Sequence, residues 1–183
     1  PLKEMRVLSP EQLEFAGDYV FSNDSFMMLV SPKSISFDCV NGYKLWENYE
    51  AIIRQCLDIV NNLGIVQDIT RIGVRYVNII RGIIGIENNL NLNYALNFDN
   101  YDHRIQAVNF HLKSEGKSII LNLAAAAGTK ENPEPGLFVD IDTFSEKVLE
   151  TAFTENFYKQ VSELHGEGKK LFYSLVTKET LSI

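Results

Sequence analysis

The sequence predicts an α+β fold: a largely antiparallel β-sheet with two long amphipathic helices packed on one face. Three observations carry this. Short runs rich in β-branched and aromatic residues are separated by turn-forming residues, so neighbouring strands run antiparallel. Residues 43–63 and 155–175 repeat apolar side chains every three or four positions, the signature of an amphipathic helix. Such a stripe is stable only when buried on another layer, and here that layer is a sheet.

Taken in order, residues 1–12 are polar and include Ser9-Pro10, which reads as a linker or an incoming arm. Three strands follow at 15–22, 26–31 and 34–40, with Asn23-Asp24-Ser25 and Pro32-Lys33 between them. These residues supply turn geometry by fixing φ or by tolerating unusual φ, so the three strands form a meander. The first helix, 43–63, places Leu45, Trp46, Tyr49, Ile52, Ile53, Cys56, Leu57, Val60 and Leu63 on one stripe. Asn41 is the expected cap at its start, and Gly64 stands where a helix C-terminus wants a left-handed residue. Trp46 and Tyr49 are expected to pack under a sheet.

A strand at 68–80 comes next, ended by Gly82 and Gly85. Further strands are expected at 90–98, 104–112, 117–125 and 137–142, with a hairpin turn at Ser114-Glu115-Gly116. Residues 128–136, with Pro133 and Pro135, read as a surface loop suited to contacts. The last helix, 155–175, is capped by Thr154 and carries Phe157, Val161, Leu164, Leu171, Phe172 and Leu175 on its stripe. Gly166 and Gly168 within it mark a kink, a break or a close backbone approach. The whole reads as one domain, 1–183, whose halves 13–82 and 88–176 are alike in plan without a residue-by-residue repeat.

The bulk composition narrows the function. The chain has 183 residues, 45% hydrophobic and 22% charged, enough apolar material for a substantial core. A net charge of -7 argues against broad nucleic-acid binding, which draws its affinity from Lys and Arg against phosphates. No run approaches the roughly 18 apolar residues of a membrane-spanning helix, and a cytoplasmic location is the default expectation. The chain opens at Pro1 inside what reads as continuing sequence, so a fragment of a longer chain is expected. Cys39 and Cys56 lack a CxxC neighbour and are expected to be small buried hydrophobes.

The polar residues of interest centre on one strand. In Thr70-Arg71-Ile72-Gly73-Val74-Arg75-Tyr76-Val77-Asn78, Arg71, Gly73 and Arg75 share one side and Ile72, Val74 and Tyr76 the other. Roughly 13 Å separates the two arginine Cα atoms at about 3.3 Å per residue, and long side chains can converge over Gly73. A guanidinium fork suits carboxylate or phosphate, so the pair reads as an anion cradle or as half of a cross-strand charge ladder. Asp140 and Asp142 alternate with Val139 and Ile141 and supply two carboxylates on one face to complete such a ladder. Asp99 and Asp102 share no local spacing with them, so no metal is expected. His103, His111 and His165 fall in no metal or protease motif, and neither a nucleophile elbow nor a P-loop is present, so no cofactor is expected.

These residues also carry a resemblance. Tyr43, Trp46 and Glu47 at the first helix, Arg71 to Asn78 on the strand, Asp140 and Asp142, and His165 with Phe172 resemble the recurring features of a sporadically distributed family of uncharacterised prokaryotic proteins. The resemblance runs from about Tyr19 onward. It implies a grouping and a longer N-terminal segment, and it carries no activity. The leading expectation is a non-enzymatic binding or protein-interaction module with no catalytic residues, using Arg71, Arg75, Tyr76, Asn78, Asp140, Asp142 and His165 toward a protein partner or a small anionic ligand. Two alternatives stand beside it: a helix-grip-like small-ligand protein or enzyme with an Arg/Asp-lined pocket, and a component of a prokaryotic defence or toxin-antitoxin locus. A homodimer that completes the sheet is one way to protect its edges.

Overall fold

A computed structural model describes residues 17–43, 45–83, 86, 90–92, 106–128, 133–146 and 150–177. The architecture is α+β with antiparallel sheets and two long helices, and the chain forms two compact units, Pro1–Leu63 and Gly64–Ile183. The strands are divided between two sheets, one in each unit, and each helix is described with the sheet of its own unit. Among the described residues no helix is long and apolar enough to cross a membrane.

The first unit is the meander β1 (Tyr19–Ser22), β2 (Phe26–Val30) and β3 (Ile35–Cys39), followed by α1 (Trp46–Asn62). Its two turns form for the reasons the sequence suggests. The Asn23 side chain accepts from the Ser25 amide at 2.9 Å, and the Ser31 hydroxyl accepts from the Ser34 amide at 2.9 Å. Phe26 on the central strand meets Phe37 and Tyr49, both with ring centroids 5.5 Å away, and Tyr49 brings α1 onto the meander. Burial raises the Tyr49 phenol pKa, helped by Cys39 and Asp38. Leu57 and Val60 are buried with Phe26 among the described residues of this unit.

Two expectations change here. Asn41 does not cap α1: Leu45 holds the cap position, and no side-chain cap bond is made there. Asn41 sits at φ 55 and donates from Nδ2 to the Asp24 carbonyl at 2.8 Å, tying the exit of β3 to the β1–β2 turn. Asn tolerates this left-handed backbone better than most residues, and the turn claims it before the helix can. Cys39 and Cys56 are half-buried rather than fully buried, and burial pushes the Cys56 thiol pKa up. At the other end of α1, Gly64 takes φ 64 as expected.

The second unit holds β4 (Ile72–Arg81), β5 (Ala107–Ser114), β6 (Lys117–Ala126), β7 (Gly136–Ser145) and α2 (Glu155–Leu175). The sheet order is β4-β7-β6-β5, antiparallel throughout. β4 therefore belongs with the strands that follow it, whereas the sequence pattern groups it with the meander before it. β5 and β6 are joined by Glu115 at φ 46 and Gly116 at φ 78, a two-residue turn with both centres left-handed, which matches the twist of the flanking strands. Thr154 caps α2, its hydroxyl accepting from the Phe157 amide at 3.3 Å.

The core lies between α2 and one face of this sheet. Leu121, Leu123, Leu137, Val139 and Ile141 pack with Leu175 and Val176. α2 is one unbroken helix, so Gly168 does not break it in two. A Cβ added there would lie 3.1 Å from the Thr143 hydroxyl and 3.6 Å from the Tyr76 ring, so this glycine marks a close approach of helix to sheet. Of the expected strand 90–98, Leu90–Leu92 are described: Leu90 makes an isolated bridge to Val176, and the Asn91 amide donates to the Leu175 carbonyl at 2.7 Å. Residues 93–98, Asp99, Asp102, His103 and residues 129–132 of the expected contact loop lie outside the described residues.

Candidate functional site

The strand register decides which polar residues meet. β4 pairs with β7 so that Arg75 lies opposite Asp142 and Val77 opposite Asp140. Arg71, Gly73, Arg75, Val77 and Ile79 therefore share the face turned away from α2 with Asp140, Asp142 and Phe144. The charges pair along the diagonals. Arg75 grips Asp140 with two bonds, Nε to Oδ1 at 2.8 Å and Nη2 to Oδ2 at 2.9 Å. Arg71 donates from Nη2 to Asp142 Oδ2 at 3.1 Å.

Gly73 is the reason Arg71 can reach. A Cβ at position 73 would lie 3.1 Å from Arg71 Nη1 and 3.5 Å from Arg71 Cζ, so the guanidinium lies flat over the glycine. It also lies over the Phe144 ring, 4.4 Å from the centroid, where the ring quadrupole attracts it. His111 of β5 stacks on the same ring at 6.4 Å. The space over Gly73 is thus taken by the chain's own arginine.

Asp140 is the centre of the set. It is 3% exposed, and a buried carboxylate is tolerated only with partners. Burial would raise its pKa, but hydrogen bonds from Arg75 and Asn122 and the Arg75 charge outweigh it and hold the carboxyl below its ordinary value. Its hydrogen bond to the Arg75 guanidinium raises the Arg75 pKa in turn. Asn122 Nδ2 donates to Asp140 Oδ2 at 3.0 Å, and Asn109 donates to Asn122. One polar row, Arg75, Asp140, Asn122, Asn109, therefore crosses all four strands. The sequence reading named its first two members and missed the asparagines. Their signal was an asparagine set among apolar residues in each of two strands, Asn109 in 107–112 and Asn122 in 119–125, which becomes informative once the register is known.

The other expected site residues lie on the opposite face. Tyr76 and Asn78 share the α2 face of β4, and the Tyr76 hydroxyl is hydrogen-bonded to His165 Nδ1 of α2. Their rings are 5.7 Å apart. The structure therefore brings Arg71, Arg75, Asp140 and Asp142 together, and separately joins Tyr76 to His165. The first group fixes β4 to β7, and the second ties α2 to β4. A cleft of about 290 Å³ near the β5–β6 turn is lined by Glu115, Lys117, Ser145, Gln160, Glu163 and others, none of them a predicted site residue. Among the described residues no three His, Cys, Asp or Glu side chains gather in a way that would hold a metal. No family model, curated protein or solved structure matches the chain.

Proposed function

We propose that this protein is a cytoplasmic, non-catalytic interaction module, and that its recognition surface is the face of the four-stranded sheet turned away from α2. The observation that supports this reading is the exposure of Val77 and Ile79, 54% and 46%, beside arginines that already have carboxylate partners. A small anion binding there would meet guanidinium groups whose charge Asp140 and Asp142 already offset. A macromolecule can instead cover the apolar residues and meet the outer edge of Arg75, whose side chain is 60% exposed. The ligand-pocket alternative calls for Arg71, Arg75, Tyr76, Asp140 and Asp142 around one cavity, and these five residues are split between two sheet faces.

The test has two arms. Titration with inorganic phosphate, followed by amide chemical shifts, is expected to leave Arg71 and Arg75 unperturbed; saturable binding at these residues would overturn the proposal in favour of an anion site. Cross-linking in the native host with wild type, Val77→Glu/Ile79→Glu and the control Tyr173→Ser forms the second arm. Loss of a cross-linked protein in the β4 variant alone supports the surface. Cross-links unchanged by the β4 substitutions refute it.

A further inference from the structure

Among the described residues four strands lie at sheet edges: β1 and β3 in the first unit, β4 and β5 in the second. An edge presents unpaired N–H and C=O groups, and edges meant to stay single are guarded by charge, proline or bulges. β3 carries Asp38, β4 carries Arg75 and Arg81, and β5 carries Lys113. β1, Tyr19-Val20-Phe21-Ser22, is short but carries neither charge nor proline. Its inner side pairs with β2, while Tyr19, Val20 and Phe21 are 65%, 56% and 58% exposed.

We propose that β1 is a pairing edge for β1 of a second copy of this chain, joining two three-stranded sheets into one of six strands. The register follows from parity. Side chains alternate between faces, so an antiparallel pair related by a two-fold axis perpendicular to the sheet must centre on a residue, not between two. Centring on Val20 places Tyr19 opposite Phe21 of the second copy, twice over, and Val20 opposite Val20. Aromatic and β-branched cross-strand pairs of this kind favour association. Centring on Tyr19 would instead set Asp18 against an apolar Val20, and centring on Phe21 would set Ser22 against it. The strand is self-complementary in one register, which is why a second copy fits it without a foreign sequence.

The area sets the strength. At these exposures the three side chains offer on the order of 400 Å² per chain, taking about 150–250 Å² for each aromatic. Two copies then bury at most on the order of 800 Å², below the roughly 1,200 Å² of a standard stable interface. The dimer is weak and concentration-dependent. It uses a surface distinct from the four-stranded sheet, so it stands or falls independently of the function proposed above.

Sedimentation velocity over a range from low micromolar to near-millimolar protein tests this. The wild-type mass is expected to rise toward twice that of the chain, and Val20→Lys to weaken association at least tenfold. Val77→Lys on β4 is the control and is expected to dimerise as wild type. A wild type that stays monomeric throughout overturns the proposal, as does a dimer broken by Val77→Lys but not by Val20→Lys. Should Val20→Lys fail to fold, disulfide trapping decides. In a Cys39→Ser/Cys56→Ser background, Val20→Cys is expected to cross-link two copies and Phe21→Cys to cross-link far less; equal trapping or none at position 20 refutes the register.

Discussion

Gly166 and Gly168 sit two residues apart in one helix, and the same substitution at each is expected to act with opposite sign. Alanine exceeds glycine in helix propensity by about 0.8–1.0 kcal/mol. At Gly166, which is exposed, an added Cβ meets nothing within 4 Å, so Gly166→Ala is expected to stabilise by nearly that amount. At Gly168 the same Cβ would lie 3.1 Å from Thr143 Oγ1, 3.6 Å from the Tyr76 ring and 3.8 Å from Ile141. Thr143 is fully buried on β7, so it has little room to move aside. Overpacking of this kind costs about 1–3 kcal/mol, which cancels the propensity gain and leaves a net loss of roughly 1 kcal/mol. The assay is urea unfolding followed by far-UV circular dichroism, because Trp46, the single tryptophan, belongs to the other unit. A second variant isolates the contact: adding Thr143→Ala to Gly168→Ala is expected to recover part of the loss. If Gly168→Ala stabilises as much as Gly166→Ala, the close approach of α2 to β7 is refuted.

The remaining predictions concern the cap and the buried carboxylate. Thr154→Ala removes the acceptor for the Phe157 amide and is expected to cost about 1 kcal/mol, with the earliest loss of hydrogen-exchange protection in the first turn of α2. The folded-state pKa of Asp140 is depressed, so its stabilising contribution is present above the ordinary carboxylate value of about 3.9 and is lost as pH falls through the lower folded value. The stability difference between wild type and Asp140→Asn is therefore expected to stay level at neutral pH and to shrink below about pH 4, measured by urea unfolding across pH. A difference that grows on acidification would contradict the depressed pKa.

Much of the fold was legible because the local signals agree with one another. α2 occupies the predicted 155–175 with its predicted Thr154 cap, and the Glu115-Gly116 hairpin lies where the sequence places it. The failures have physical causes. Asn41 is equally good as a helix cap and as a left-handed turn residue, and only the position of Asp24, seventeen residues away, decides between them. The division into two sheets was not legible, because hydrophobic alternation tells which face a residue takes but not which strand lies beside it.

At the site, the alternation of Arg71 and Arg75 and of Asp140 and Asp142 correctly identified two same-face pairs. Which guanidinium meets which carboxylate depends on register: Arg75 passes over its direct neighbour Asp142 to take the buried Asp140. Alternation also set Tyr76 on the other side of the strand from Arg75, but that His165 of α2 meets it there was not legible, because strand periodicity says nothing of which helix residue packs on a face.

The central claim is that the arginine strand is held by the chain's own carboxylates. A double-mutant cycle on Arg75→Ala and Asp140→Ala tests it most directly. Asp140 is almost fully buried while the Arg75 side chain is 60% exposed, so the coupling should fall below the roughly 3–5 kcal/mol of fully buried pairs. A coupling of about 1–3 kcal/mol is expected, with Arg75→Ala alone clearly destabilising. An Arg75→Ala protein as stable as wild type, with coupling below about 0.5 kcal/mol, would contradict it and return Arg75 to the role of a ligand-binding residue.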